Sequence, residues 1–150
     1  LAAYRPEGPP TRAMTAEALF CRQLASRRRD GGLAPAALDE ATQSLLDELP
    51  GAGPVNLYYW YYATIALHRA QGVSAAQRDA WQRWNHAVAE TLLSTQDADG
   101  SWPATCVWGG YGGRGYTTAL AAMCLEVYYR YGTEDVDLAA HDDWRSVPAR

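Results

Sequence analysis

The feature that most constrains how this chain folds is a run of five consecutive aromatic residues: Tyr58, Tyr59, Trp60, Tyr61 and Tyr62. Strand propensity alone would favour a β-strand for such a run. We nevertheless predict a helix from Asn56 to about Gln71, because Asn56 can cap its start, Gly72 can end it and the apolar sequence continues unbroken between them. A helix that is aromatic on every side must be enclosed on most sides, so this one is predicted to be an inner helix.

The segments on either side of it have a one-sided apolar pattern, which is typical of outer helices. The earlier segment starts near Pro35 and stops at Pro50, with an apolar stripe of Leu38, Ala41, Leu45 and Leu49. The later segment opens with Ser74 and Gln77 at the spacing of a capping box. Its apolar face is made of Trp81, Trp84, Val88 and Leu92.

Two further helices complete an alternating inner and outer pattern. The first follows Thr11 as its N-cap and runs to about Arg28, and the fifth follows a glycine-rich loop over residues 97–115 and ends at Gly132. We interpret Cys21 and Cys124 as small buried residues of these helices. Residues 1–10 are predicted to be an extended lead-in, and residues 133–150 a tail with little fixed structure. The fold class is therefore all-α, with a repeat domain over residues 11–132.

A weak internal repeat supports this organisation. The first and fifth helices share small residues in the same order, and the matching positions are Met14, Thr15, Ala16, Ala18 and Cys21 against Thr117, Thr118, Ala119, Ala121 and Cys124. Stacked helix pairs of this kind are the expectation for a solenoid or a toroid.

Composition excludes several classes of function. A formal net charge of −4 gives no basic footprint for nucleic acid. Three cysteines without a CxxC or Cys/His spacing indicate neither a disulfide framework nor a zinc site. No apolar stretch approaches the roughly 20 residues that span a bilayer. Ten Tyr and six Trp against one Phe favour half-wet surfaces as well as cores, because Tyr and Trp each carry a polar group.

The segment from Leu92 to Trp102 resembles the QW motif of the squalene-cyclase and prenyltransferase repeat superfamily. It has the Leu, then Gln96 after three residues, then a short polar spacer, Gly100, any residue and Trp102. The aromatic residue that usually precedes the Leu is absent. Residues 113–120 are similar to the start of the inner helix that follows such a motif, and the aromatic run fits an inner helix of the same repeat.

This resemblance implies an α/α toroid in which the Gln and Trp of the motif tie the end of an outer helix to the next inner helix. It covers roughly residues 11–131 and about five of the dozen helices of a complete toroid. The catalytic signatures of the superfamily are missing: Asp135-Val136-Asp137-Leu138 lacks the fourth carboxylate of a D-x-D-D motif, no zinc-ligand set is present and no C-G-E-Q string occurs. We predict no catalytic residue, no metal and no cofactor.

Weaker constellations have ordinary explanations. His141-Asp142-Asp143 is interpreted as a solvated charge run, and His68 and His86 have no nucleophile near them in sequence. A pair of catalytic carboxylates, as in toroidal glycosidases, would have to come from Asp97 and Asp99. The loop over residues 109–115 could bind an anion with Arg114, but tight packing near Trp102 and Trp108 is the favoured explanation for its glycines.

The functional hypothesis is a non-catalytic repeat module that assembles with another protein chain, or with missing repeats of a longer polypeptide, as the start at Leu1 suggests. The predicted interface residues are Tyr58, Tyr59, Trp60, Tyr61, Tyr62, Trp108, Arg114 and Tyr116. The alternative is a pocket for an isoprenoid or another lipid lined by the same aromatics. A terpene-cyclase-like or carbohydrate-active fragment is a third hypothesis.

Overall fold

The computed structural model describes residues 1–26 and 33–130. Its helices are α1 (Arg12–Ser26), α2 (Pro35–Leu46), α3 (Leu57–Ala70), α4 (Ala75–Thr95), α5 (Gly109–Leu125) and α6 (Val127–Arg130). These residues form α-helices and no β-strand, which confirms the all-α class. The predicted tail with its Asp135–Leu138 and His141–Asp143 strings, and the predicted end of the first helix at Arg28, lie outside the described residues.

The helices form two layers. α3 packs between α1 and α5, and these three helices form one layer, while α2 and α4 contact each other in the second layer. α2 also packs on α1, and α4 packs on α3. The alternation of inner and outer helices that the apolar patterns predict is therefore the arrangement of α1 to α5.

Contacts along the helices give their directions. From α1 to α3, Glu17 meets Tyr58 and Gln23 meets Ala66, so both partners advance together and the two helices are parallel. From α3 to α4 the order reverses, because Tyr59 contacts Trp84 whereas His68 contacts Trp81, nearer the start of α4. Each outer helix thus returns antiparallel to the inner helix before it, and successive inner helices point the same way.

The core is centred on α3, in which ten of 14 residues are buried. Trp84 of α4 is fully buried, packs edge-to-face on Tyr59 at 5.5 Å and donates its indole N–H to the Thr64 hydroxyl at 2.9 Å. Cys124 of α5 is hydrogen-bonded to the same Thr64, and burial raises the pKa of its thiol to about 12. A single threonine thus joins the outer helix α4 and the inner helix α5 to α3.

The predicted N-caps are largely confirmed. Thr11 and Asn56 accept hydrogen bonds from the amides of residues 14 and 59 at 3.2 and 3.1 Å, and Ser74 accepts from the amide of Gln77 at 3.2 Å. The second half of the predicted capping box is wrong. The side chain of Gln77 is buried and turns to α2, where it accepts from Thr42 and donates to Asp39, both at 2.9 Å.

Two expectations about the chain ends also change. Residues 1–10 were expected to be extended, but they fold back so that Ala3 pairs with Pro10 and the amide of Thr11 donates to the carbonyl of Ala2. The fifth helix is predicted to begin after Gly115, but α5 begins at Gly109 and a break at Glu126 separates it from α6. The predicted end at Gly132 lies outside the described residues. The first turn of α5 is separated from the rest by Gly113, at φ 67°.

Glycine packing explains why a segment of poor helix propensity adopts this turn. A Cβ on Gly109 would lie 2.2 Å from the Ala104 carbonyl oxygen, and one on Gly112 would lie 2.5 Å from the Cβ of Tyr116. Only glycine fits at either position without a backbone shift. The close approach of the preceding loop and of Tyr116 therefore requires glycine at both positions, although glycine has a low helix propensity.

The two cysteines differ from each other. Cys124 is buried, as predicted, whereas Cys21 is exposed, so the interpretation of Cys21 as a core residue is wrong. In the described residues α1 has an inner-layer neighbour on one side only, and Cys21 lies on a face that neither α2 nor α3 covers.

We predict that Thr64→Val destabilises the protein by about 1–3 kcal/mol, because the buried indole N–H of Trp84 loses its acceptor while the side-chain shape is kept. Thr64→Ser keeps the hydroxyl and should lose only about 1 kcal/mol for one methyl group. Urea denaturation followed by circular dichroism measures both. A valine variant as stable as the serine variant would contradict the assigned role of this hydrogen bond.

The buried imidazole of His68 predicts that the stability of the protein depends on pH. It is buried against the rings of Trp81 and Tyr128, at centroid distances of 4.9 and 6.0 Å, and desolvation followed by the charge of Arg69 lowers its pKa below the ordinary 6.5. The unfolded chain therefore binds this proton more readily than the folded chain. The His68 contribution to stability is fully present above pH 6.5 and declines as the pH falls below that value.

The measurement is the free energy of unfolding between pH 5 and pH 8. The stability of His68→Gln should fall less steeply than that of the wild type below pH 6.5, whereas the stability of Gln82→Ala, at an exposed site on α4, should follow the wild type. Equal slopes for the wild type and His68→Gln would show that His68 does not drive the dependence.

Candidate binding surface on the inner helices

One side of α3 faces away from the outer layer. Tyr59 contacts Trp84 of α4, whereas Tyr58 and Tyr62 contact Glu17 and Phe20 of the neighbouring inner helix α1. We call this side of α3, with the neighbouring side chains of α1, the inner face. Its half-buried aromatic members are Phe20, Tyr58, Tyr61 and Tyr62.

The rings of the inner face form a continuous cluster. Tyr62 packs edge-to-face on Tyr58 at 4.9 Å and on Tyr61 at 5.2 Å, and Phe20 of α1 lies 6.2 Å from Tyr62. Such arrangements suit the charge distribution of aromatic rings. The inner face is therefore an ordered aromatic surface that spans two helices.

A carboxylate holds one edge of this cluster. The hydroxyl of Tyr58 donates to Oε2 of Glu17 at 2.9 Å. Burial, then the hydrogen bond to Glu17, raises the pKa of the Tyr58 phenol above its ordinary value of 10. Tyr58 is thus a neutral donor near pH 7, and its ring is fixed in orientation by a charge-assisted hydrogen bond.

Two of the predicted interface residues are not part of any accessible surface. Tyr59 and Trp60 are only 2% and 3% exposed, and the Tyr59 hydroxyl donates to the carbonyl of Leu45 at 2.8 Å. The reason is helical geometry: five consecutive residues at about 100° each cover all sides of a helix, so some must face the core. The structure brings Tyr58, Tyr61 and Tyr62 together on the inner face, leaves Tyr116 half-buried on α5 and assigns Tyr59 and Trp60 to the core.

Trp108 and Arg114 lie elsewhere, at the start of α5. Trp108 is 49% exposed beside the 91% exposed Tyr111, and their rings are 6.2 Å apart. Arg114 forms ion pairs with Asp97 at 2.9 Å and Asp99 at 3.3 Å and also contacts Ser101. Arg114 is already bound by two carboxylates, so the hypothesis that it helps to bind an anion has no support.

The motif residues show how the outer helix α4 is tied to α5. The indole N–H of Trp102 donates to the carbonyl of Leu92 at 2.9 Å, its amide donates to Thr118 at 3.1 Å, and its carbonyl accepts from Thr117 at 3.0 Å. Trp102 is buried and links the last turns of α4 to the middle of α5.

The glutamine of the motif acts differently from its predicted role. Gln96 donates to the carbonyl of Gly100 at 2.9 Å and closes the turn before Trp102, rather than binding groups at the helix end. Gly100 has a φ of 82°, a conformation that glycine adopts without strain.

Sequence reasoning missed one cavity, of about 530 Å³, where the N-terminal ends of α1 and α3 meet the C-terminal end of α2. Its walls include charged and polar groups from distant parts of the chain: Thr11, Arg12, Ser44, Asp47, Glu48 and Asn56. Arg12 binds Glu48 at 3.2 Å across this region. No pattern of sequence spacing points to the cavity, because residues before α1, the loop between α2 and α3, and the ends of these three helices form it.

Three negative findings complete the description. In residues 1–26 and 33–130 no three His, Cys, Asp or Glu side chains are grouped as a metal ion would need. None of the helices described has the length and apolar character needed to cross a membrane. No family model, curated protein or solved structure matches the chain.

The turn of residues 97–101 gives a prediction about a single carboxyl group. The side-chain and backbone hydrogen bonds from Ser101 lower the pKa of Asp99 below its ordinary value, and Arg114 adds to this effect. We expect Ser101→Ala to raise the pKa of Asp99 towards 3.8, measured by carboxyl ¹³C chemical shifts during an acid titration. Ser94→Ala, in the preceding helix, should leave this pKa unchanged. An unaltered value in Ser101→Ala would exclude the hydroxyl as its cause.

Proposed function

We propose that this protein is a helical-repeat module of the kind found in the squalene-cyclase and prenyltransferase repeat superfamily, and that it assembles with another polypeptide through its inner face. The observation that carries the proposal is the aromatic cluster of Phe20, Tyr58, Tyr61 and Tyr62, which lies half-buried on the side of the inner layer away from the outer layer. The parallel order of the inner helices supports the repeat assignment.

The energetics of this surface favour a protein partner. Each Å² of apolar surface removed from water contributes about 25 cal/mol, and half-buried aromatic rings retain area that a partner can cover. Tyrosines lose little side-chain entropy on binding because they have two rotatable angles, and their hydroxyls keep a donor for the partner. Tyr and Trp are also enriched among the residues that dominate measured binding energies.

The groups that could support catalysis are engaged in structural contacts. Asp97 and Asp99 both face the guanidinium of Arg114, so they are not opposed across a space that could hold a glycosidic bond. His68 is enclosed by Trp81 and Tyr128. These arrangements favour a binding role over an enzymatic one.

The lipid alternative has less support. The described cavity of about 530 Å³ has the volume of a small-molecule site, but Arg12, Asp47 and Glu48 are among its walls. An isoprenoid chain would gain little there, because charged groups would lose hydration without new hydrogen bonds. A bound lipid is therefore kept as an outcome of the test below rather than as a second proposal.

The experiment starts with a photo-crosslinking amino acid at position 61 in cells that naturally make the protein, followed by reconstitution of the identified polypeptide with the purified chain. We expect Tyr61→Ala/Tyr62→Ala to weaken this reconstituted complex at least about 30-fold, because truncation of central aromatic residues commonly costs 2 kcal/mol or more. The affinity is measured by isothermal titration calorimetry.

Matched controls separate binding from folding. The same crosslinker at position 129, on α6, where the side chain is 90% exposed, should capture no common product. Tyr61→Phe/Tyr62→Phe keeps the rings and should bind within a few fold of the wild type. Full binding by the alanine variant would refute the proposal. Native mass spectrometry gives the second test: a lone chain with a few hundred daltons of extra mass that disappears on denaturation would indicate lipid binding instead.

A further inference from the structure

The cavity where the ends of α1, α2 and α3 meet has walls that hydrogen bonds hold in place. The hydroxyl of Tyr59 on α3 donates to the carbonyls of Leu45 and Glu48 at 2.8 and 3.3 Å. From α1, Nε of Arg12 donates to the carbonyl of Ser44 at 3.1 Å, and its Nη1 donates to Oε2 of Glu48 at 3.2 Å. These bonds tie three helices together around a space of about 530 Å³, which is the volume of a preformed small-molecule site.

The charged side chains of these walls do not cancel. They are one guanidinium, Arg12, and two carboxylates, Asp47 and Glu48. Arg12 forms its ion pair with Glu48. Asp47 accepts a hydrogen bond from the neutral amide of Gln43 at 2.8 Å, and within residues 1–26 and 33–130 it forms no ion pair. The wall side chains therefore leave one negative charge uncompensated, at Asp47.

The partial charges of the helix ends reduce this excess but do not reverse it. A helix carries roughly half a positive charge at its N-terminal end and roughly half a negative charge at its C-terminal end. Two N-terminal ends and one C-terminal end border the cavity, so together they contribute roughly half a positive charge. The amino group of Leu1 also borders the cavity, and Glu40 compensates it at 3.9 Å. The field in the cavity therefore favours a cation over an anion.

The walls also provide neutral hydrogen-bonding groups from three separate elements. In the part of the chain that the structure describes, the hydroxyl of Ser44 and the side-chain NH₂ of Asn56 have no hydrogen-bond partner, since Asn56 uses only its oxygen as the cap of α3. The hydroxyl of Thr11 accepts from the amide of Met14 at 3.2 Å and keeps its own proton to donate. A ligand with several hydroxyl groups can bind more than one of these groups, whereas an apolar ligand would cover them without giving them a partner.

We infer that this cavity binds a small amine that also carries hydroxyl groups, an amino polyol or an amino sugar, with its ammonium group at Asp47 and its hydroxyl groups at Thr11, Ser44 and Asn56. The inference does not rest on the proposed function, because no aromatic member of the inner face lines the cavity. Asp47 is exposed, so water screens its contact with the ammonium group. Binding should therefore be weak, with a dissociation constant on the order of millimolar.

Titration of the ¹⁵N-labelled chain with glucamine, followed by the NMR shifts of its backbone amides, tests this inference. Sorbitol is the matched probe with a hydroxyl in place of the amine, and hexylamine has the amine without the hydroxyls. We expect glucamine to shift the amides of the lining residues and to bind about fivefold more tightly than sorbitol, which is the effect of one exposed ion pair. Hexylamine should bind at least about tenfold more weakly than glucamine, because it leaves several polar groups unpaired.

Charge variants locate the ammonium group. Asp47→Asn keeps the shape of the side chain and removes its charge, so this variant should bind glucamine no better than sorbitol. Asp79→Asn, at an exposed site on α4 outside the cavity, should keep the preference for glucamine, and so should Tyr61→Ala/Tyr62→Ala on the inner face. An unchanged preference in Asp47→Asn would overturn the inference. It would also be overturned by equal binding of glucamine and either matched probe, or by the absence of amide shifts at about 50 mM glucamine.

Discussion

The structure depends on the enclosure of α3. This helix contacts α1, α4, α5 and α6, and its apolar residues account for much of the buried core. An isolated helix with five consecutive aromatic residues would expose a large apolar surface to water. The aromatic run therefore needs the helices of both layers to cover it. The part of the run that the neighbouring helices leave partly uncovered is the inner face, on which the proposed function rests.

Buried polar groups then fix how the helices sit against each other. Apolar packing alone tolerates sliding and repacking, whereas a buried donor without an acceptor costs about 1–3 kcal/mol. Thr64 ties α4 to α3 through Trp84, and Gln77 ties α4 to α2 through Thr42. Trp102 extends the same principle to α5, since its three hydrogen bonds reach both helices that it joins. At these junctions a buried polar contact favours a single register among several that burial alone would allow.

The sequence is a good guide to features that depend on neighbours along the chain. Helix periodicity and the caps at Thr11, Asn56 and Ser74 are local, and they are found where predicted. The alternation of inner and outer helices also follows from local pattern, because the width of an apolar face reflects how many neighbours a helix must have.

The predictions fail where a residue that is distant in sequence determines the local structure. Gln77 has the spacing of a capping box, but a buried hydroxyl on α2 offers a better partner than an exposed helix end. Gly109 and Gly112 suggest a loop by propensity, yet they are glycines because Ala104 and Tyr116 approach too closely for a side chain. Cys21 matches Cys124 in sequence, but among the described helices only Cys124 is buried. Likewise, sequence alone could not divide the aromatic residues between the core and the inner face, because that division depends on which side of α3 each neighbour occupies.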